Sequence, residues 1–131
     1  MRDKTIEEGS DLTIDFAKRG GLVPCVVQDA SSGQILMLAY VNQAALDTTL
    51  TKGMATFWST SRDELWTKGE TSGDFLKMLE VLVDCDQDAL VYRVVPQGAG
   101  ACHTRDAAGK TRQSCFYRRL DSASGNLTFA D

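Results

Sequence analysis

The sequence predicts an α+β fold in which strands dominate. Three observations carry this: two pairs of Val-, Leu- and Ile-rich runs separated by turn-forming stretches, one short segment between them with helix start and stop signals, and no internal repeat, low-complexity tract or interdomain linker.

Taken in order, residues 22–29 and 34–40 are the first strand pair, divided by Ala30-Ser31-Ser32-Gly33, and predict a β-hairpin. Asn42 stands where an N-cap accepts a backbone N–H, and Val41 and Leu46 are placed as a hydrophobic staple, so a short helix is predicted over residues 43–52. Leu46 and Leu50 give this helix an apolar edge, and Gly53 sits where a C′ glycine ends it. Residues 54–60 return to strand character. Residues 61–74 are polar, carry Gly69 and Gly73 and show neither period, and most of the stretch reads as a functional loop. Residues 75–83 and 89–95 form the second strand pair and bracket Asp84–Asp88 at or near a turn. After a glycine-containing connection at 97–101 and a polar stretch at 105–113, residues 114–120 read as a last strand and the tail beyond Asp121 as loosely held. Residues 1–131 are expected to form one domain, with 1–20 and 121–131 peripheral.

Composition narrows the function. A formal net charge of −4 over 131 residues argues against nucleic-acid binding, which uses basic surfaces that release counterions from phosphates. The longest apolar run, 35–41, falls far short of the roughly 20 residues that cross a bilayer. Residues 1–10 are polar and charged, without the apolar core of a secretory signal. Four cysteines in such a chain favour a reducing compartment, where cysteine means metal, catalysis or core more often than crosslink. The expectation is a soluble cytoplasmic protein with no membrane or nucleic-acid partner.

Chemistry concentrates in Asp84-Cys85-Asp86-Gln87-Asp88, which places three carboxylates and a thiol within one short segment after an apolar run. In an extended strand Asp84, Asp86 and Asp88 would share one face and Cys85 the other. The carboxylates are hard ligands suited to Mg²⁺ or Ca²⁺, the thiolate a soft ligand suited to Zn²⁺. The glycine and terminal glutamate of an EF-hand loop are absent. A solvated acidic turn is the alternative. Cys85, Cys102 and Cys115 lack the paired C-x-x-C spacing of structural zinc knuckles; three ligands and an open position describe a catalytic zinc, and three small buried hydrophobes describe the other reading. Cys25, inside the apolar run 23–27, reads as core. His103, the one histidine, follows Cys102 and is suited to proton transfer, or else to an ordinary hydrogen-bonded role. Lys68, Thr71 and Ser72, in a loop with Gly69 and Gly73, and Arg62 just upstream, have the composition of a phosphate-binding loop, although not a Walker A sequence. Trp58 and Trp66 are suited to stacking on a ligand or to packing.

Leu22-Val23-Pro24, Leu36-Met37-Leu38-Ala39-Tyr40, Leu65-Trp66-Thr67-Lys68-Gly69-Glu70-Thr71-Ser72-Gly73, the acidic segment, Cys102-His103-Thr104 and Ser114-Cys115-Phe116 occur in that order. Together they resemble phosphoribosyl-AMP cyclohydrolase, an enzyme family of histidine biosynthesis, over residues 21–120. The resemblance implies that zinc-activated water attacks C6 of the adenine ring of phosphoribosyl-AMP and opens the N1–C6 bond, giving the formimino imidazole carboxamide ribonucleotide. It implies Zn²⁺ on Cys85, Cys102 and Cys115, drawn from both chains of an intertwined homodimer, and Mg²⁺ on Asp84, Asp86 and Asp88. It also implies a proton-transfer role for His103, and gives Arg62, Lys68, Thr71, Ser72 and Trp58 a substrate with two phosphates and a ring to bind. The chain departs from the family pattern in a longer stretch between Cys102 and Cys115, within 105–113, and in Thr60, where relatives commonly carry arginine. A zinc nucleobase deaminase, the nearest rival by chemistry, would need an H-x-E and P-C-x-x-C signature that is absent. A zinc-stabilised binding module, or the same scaffold without catalysis, are the remaining alternatives.

Overall fold

The computed structural model describes residues 4–130. A short helix, α1 (Lys4–Glu8), and a single 3₁₀ turn at Ala17–Arg19 precede the first hairpin. β1 (Val23–Asp29) and β2 (Ile35–Val41) pair antiparallel, Val23 opposite Val41, with a register shift at Val27/Gln28. α2 (Gln43–Lys52) follows with the caps its sequence demands: the Asn42 side chain accepts the Ala45 N–H at 2.8 Å, and Gly53, at φ 71°, donates its N–H to the Thr49 carbonyl. β3 (Thr56–Ser59) and β4 (Glu64–Thr67) form a small antiparallel ribbon. β5 (Leu76–Val83) and β6 (Leu90–Pro96) are the second hairpin, and β7 (Arg118–Leu120) and β8 (Leu127–Phe129) a third.

The main sheet has the order β2-β1-β6-β5, so the two hairpins meet through a parallel ladder of β1 on β6, running from Cys25 opposite Leu90 to Asp29 opposite Val94. Alternation along the strands sends Val23, Cys25 and Val27, Val41, and Leu90, Tyr92 and Val94 to one face, where they are buried with Leu46 of α2 and Phe57 of β3. The other face leaves Leu38, Tyr40, Leu82 and Val95 exposed. Cys25 is core, as its sequence context predicts, and burial pushes its thiol far above the ordinary range.

Several boundaries differ from the sequence reading. The stretch 61–74 is not wholly loop: β4 lies within it, because Trp66 packs its ring 5.4 Å from that of Phe57 while Leu65 turns outward. Four residues are too few to print a period among polar neighbours. The last strand is confined to Arg118–Leu120, since Ser114 and Cys115 are held instead by the start of β2: the Ser114 hydroxyl donates to the Ile35 carbonyl at 2.6 Å and the Cys115 N–H to the Leu36 carbonyl at 2.7 Å. The tail beyond Asp121 carries β8. On α2 the inward positions are Ala45, Leu46 and Thr49, whereas Leu50 is 61 % exposed, so the apolar edge comprises Leu46 but not Leu50.

Thr49 joins α2, β3 and β6. Its fully buried Oγ1 accepts the Thr56 N–H at 3.0 Å and the Tyr92 hydroxyl at 3.2 Å, and donates to the Ala45 or Thr56 carbonyl. Thr49→Val keeps the shape and removes the acceptor, orphaning two buried donors. The expected loss is about 2–4 kcal/mol in urea unfolding with unchanged m, against about 1 kcal/mol for Tyr92→Phe, which removes a donor with its own bond.

Candidate active site and metal centres

The acidic residues occupy the turn that joins β5 to β6. The Asp84 N–H donates to the Ala89 carbonyl at 3.1 Å, the Gln87 N–H donates to the Asp84 carbonyl at 3.0 Å, and Gln87 takes φ 56°. The segment is therefore a tight turn, not the extended strand that the sequence reading used to align its carboxylates. The turn brings them together by another route: ligand oxygens of Asp84, Asp86 and Asp88 lie within 4.8 Å of one another. Burial works to raise the Asp84 carboxyl, but hydrogen bonds from Asp88 and from the Asp88 and Ala89 N–H groups (2.8 and 3.0 Å to Oδ1) outweigh it and hold it below the ordinary range. Three clustered oxygen donors suit a hard divalent cation. Among the described residues this trio is the one group of three or more His, Cys, Asp or Glu with that convergence.

Cys85 is exposed within this turn. Cys102 and Cys115 lie elsewhere and close to each other. Residues 101–104 and 112–113 form an irregular ladder: Ala101 N–H to Gln113 carbonyl at 3.0 Å, Cys102 N–H to Arg112 carbonyl at 3.2 Å, and Arg112 N–H to Thr104 carbonyl at 3.0 Å. Gly100 backs directly onto this ladder, where a Cβ would stand 2.4 Å from the Arg112 carbonyl oxygen. Burial raises the Cys102 thiol, yet the Thr104 hydroxyl at 3.0 Å from Sγ, the Thr104 N–H, Cys115 and the His103 backbone all bond to it, and the net shift is downward. Cys115 moves the opposite way, to about 11, first through burial and then through the charge of and hydrogen bond to Cys102, with Lys68 opposing. The pair thus favours one thiolate and one shared proton, a soft donor set.

Cys85 and this pair sit at opposite ends of the main sheet. Cys85 is the second residue after β5, whereas Cys115 is bonded to Leu36 near the beginning of β2, on the side where β1 and β6 end. Leu36 lies level with Tyr92 and Arg93 of β6, past Leu90 where the acidic turn enters that strand, and β2 and β5 are the opposite edges of the sheet, strands being about 4.8 Å apart, so the thiols are separated both along and across it.

The other sequence-derived candidates are dispersed. His103 is exposed beside Cys102. Lys68 lies near enough to Cys115 for its charge to act on that thiol, with Nζ 5.9 Å from the Trp66 ring centroid. Trp58 and Arg62 line a shallow cavity of about 330 Å³ with Tyr40, Thr60 and Trp66; the Arg62 Nε lies 3.5 Å from a Glu64 carboxylate oxygen. Thr71 and Ser72, both exposed, do not line that cavity, and the Ser72 hydroxyl accepts the Asp74 N–H. Gly69 is required by packing, since a Cβ there would stand 2.5 Å from the Phe75 nitrogen. Thr104, named in the sequence only as a neighbour of His103, proves to bond the Cys102 sulfur through both its hydroxyl and its N–H; the Cys-x-Thr spacing is the signal that could have found it.

The longer stretch between the thiols is an ordered hairpin. Asp106 caps its tip by accepting the Ala108 and Lys110 N–H groups at 2.9 Å each, and Arg105 bridges Thr111. The Arg112 guanidinium stacks 4.0 Å from the Tyr117 ring and 5.3 Å from that of Phe129, and donates to the Arg105 carbonyl at 2.7 Å. It joins this hairpin to β8.

Comparison with known proteins adds a direct finding. The family model described as phosphoribosyl-AMP cyclohydrolase matches residues 37–117. The chain is 49 % identical over 111 residues to a phosphoribosyl-AMP cyclohydrolase of Solibacter usitatus, covering 85 % of this chain and 83 % of that protein. To the protein of the same name from Sphingopyxis alaskensis it is 49 % identical over 127 residues, 95 % and 94 % of the two chains. It is also 52 % identical over 109 residues to a histidine biosynthesis bifunctional protein of Thermus thermophilus, covering 83 % of this chain but 48 % of that longer one.

Replacing Cys102 by serine removes the charge that helps hold the Cys115 proton but leaves the desolvation of that thiol by its surroundings in place. In metal-free protein, thiolate absorbance should show Cys115 titrating below its starting value of about 11 yet above an ordinary thiol. An unmoved titration would show that the two sulfurs do not interact.

Proposed function

The chain belongs to the phosphoribosyl-AMP cyclohydrolase family, enzymes of histidine biosynthesis that hydrolyse a cyclic amidine C–N bond, and from this premise we propose how its residues divide the reaction. The substrate is phosphoribosyl-AMP. Water adds to C6 of the adenine ring and the C6–N1 bond opens, N1 taking up a proton as it leaves. The observation that carries the reading is the placement of the thiols: two adjacent at one end of the sheet, and the third beside the aspartates at the other.

Cys102 and Cys115 of one chain, with Cys85 of a second copy, would hold Zn²⁺. Two adjacent thiols, one of them disposed to ionise, fit such an ion, and the separation of Cys85 from them along and across the sheet argues that the third ligand is supplied by another chain. The exposed apolar face carrying Leu38, Tyr40, Leu82 and Val95 supports a dimer as the working form. Bound there, zinc supplies Lewis-acid activation of water near neutral pH. Asp84, Asp86 and Asp88 would hold Mg²⁺, which screens and orients the substrate phosphates.

His103, exposed and next to a thiol ligand, is placed to deliver the proton to N1. Thr104 keeps Cys102 ionised and oriented. Lys68, on the Cys115 side, and Arg62, with Thr71 and Ser72, are the groups available for phosphate, and Trp58 offers a ring face to the base. The described residues contain no helix long and apolar enough to cross a membrane, and a reducing cytoplasm is the setting that keeps the cysteines as thiols.

Absorbance on adding phosphoribosyl-AMP should report ring opening that chelation abolishes and zinc restores. Cys85→Ser and Cys102→Ser should each give a folded, inactive protein. Co-refolded in equal amounts, they should recover about a quarter of wild-type activity, because half of the twofold dimers contain one intact site made from the two unmutated halves. No recovery would place all three thiols on one chain, and full activity of Cys102→Ser alone would remove the zinc reading.

A further inference from the structure

Gln87 is the one non-acidic, non-thiol residue of the acidic turn, and nothing in the reaction as described uses it. Its side chain is only 9 % exposed, and every hydrogen bond it makes goes to a distant segment. Oε1 accepts the Thr13 N–H at 2.7 Å, while Nε2 donates to the Ile6 carbonyl at 3.2 Å and to the Asp11 carbonyl at 3.1 Å. An acceptor and two donors on one planar amide match these three backbone groups; a carboxylate would lack the donors and asparagine the reach. Residues 6–13 are thereby tied across the turn, lining an open pocket of about 270 Å³ with Asp84 and Cys85 on one side and Glu7, Ser10 and Leu12 on the other.

The backbone of the same residue shapes the turn. Asp63 and Gln87 are the non-glycine residues with positive φ among those described, 55° and 56°. A side chain disfavours that region, so it is held by surrounding structure. Here the surroundings are the Gln87 N–H bond to the Asp84 carbonyl at 3.0 Å on one side and the amide tether on the other. We propose that Gln87 is a positioning residue: by gripping residues 6–13 it keeps the turn in the shape that brings Asp84, Asp86 and Asp88 together, and a divalent cation bound to the turn orders residues 6–13 in return. The coupling is reciprocal by thermodynamic necessity. It rests on the magnesium reading of the aspartates.

The test uses the full chain as wild type, Gln87→Ala and Gln87→Gly, with MgCl₂ as the only added ligand. Calorimetry reads Mg²⁺ affinity, and hydrogen exchange reads the amides of residues 6–13. Both variants should bind Mg²⁺ about tenfold more weakly, the weight of one or two net hydrogen bonds. Exchange over residues 6–13 should be faster in both and no longer slowed by Mg²⁺, as it is in wild type. Glycine accepts positive φ freely, so wild-type affinity in Gln87→Gly alone would show that only the backbone matters and would overturn the tether. Mg²⁺ heat in wild type without slowed exchange would overturn the coupling and leave the magnesium reading standing. Absence of heat in wild type would remove both.

Discussion

Parallel strands cannot be joined by a tight turn, so the ladder of β1 on β6 must be closed through everything between Asp29 and Leu90. Because the two strands run the same way, whatever precedes β6 lies beside whatever precedes β1, and whatever follows β6 lies beside the turn that follows β1. The acidic turn therefore meets the N-terminal segment, as the Gln87 bonds show. At the other end the chain leaving Pro96 stays beside the first hairpin, where Ser114 and Cys115 attach to β2. The placement of the acidic turn and of the thiol pair is set by that single pairing.

The interior and the sites solve opposite problems. Within the core, polarity is tolerated because it is completely partnered: Thr49, Thr56, Thr67 and Tyr92 bond among themselves, and no described buried side-chain nitrogen or oxygen lacks a partner. In the thiol pair, the hydrogen bond from Cys115 favours ionisation of Cys102, and the Cys102 thiolate then opposes that of Cys115. A cation replacing the shared proton would relieve that opposition and release acid, the usual link between metal uptake and protonation. The acidic turn holds a similar tension among its carboxylates, lessened by the N–H groups of Asp88 and Ala89.

Much of this was legible in the chain. Asn42 and Gly53 located α2 because caps are local chemistry, and the two hairpins followed from alternation and turn residues. β4 was hidden because one tryptophan against Phe57, and no repeating pattern, makes it a strand. The acidic segment was expected at or near a turn, and it is one, but its carboxylates were aligned on a strand face, whereas they converge through a turn with a left-handed residue that sequence alone does not reveal. The roles of Thr104 and Gln87 depend on partners that only the folded backbone assembles, in the case of Gln87 from the distant N-terminal segment. Leu50 fits the helical period yet faces outward, since its environment is decided by what surrounds the helix.

The hairpin between the thiols has a consequence for how this protein can change over generations. Its stem, from Ala101 to Gln113, is bonded immediately beside Cys102, and its tip is closed separately by Asp106. Residues added or lost at the tip alter only the closure entropy of a surface loop, which rises slowly with length. The stem shields the sulfurs from such changes, so this is a place where insertions can accumulate, drift and acquire new contacts, as the stacking of Arg112 on Tyr117 and Phe129 illustrates. The bonded stem holds the two thiols in place while the tip is open to novelty.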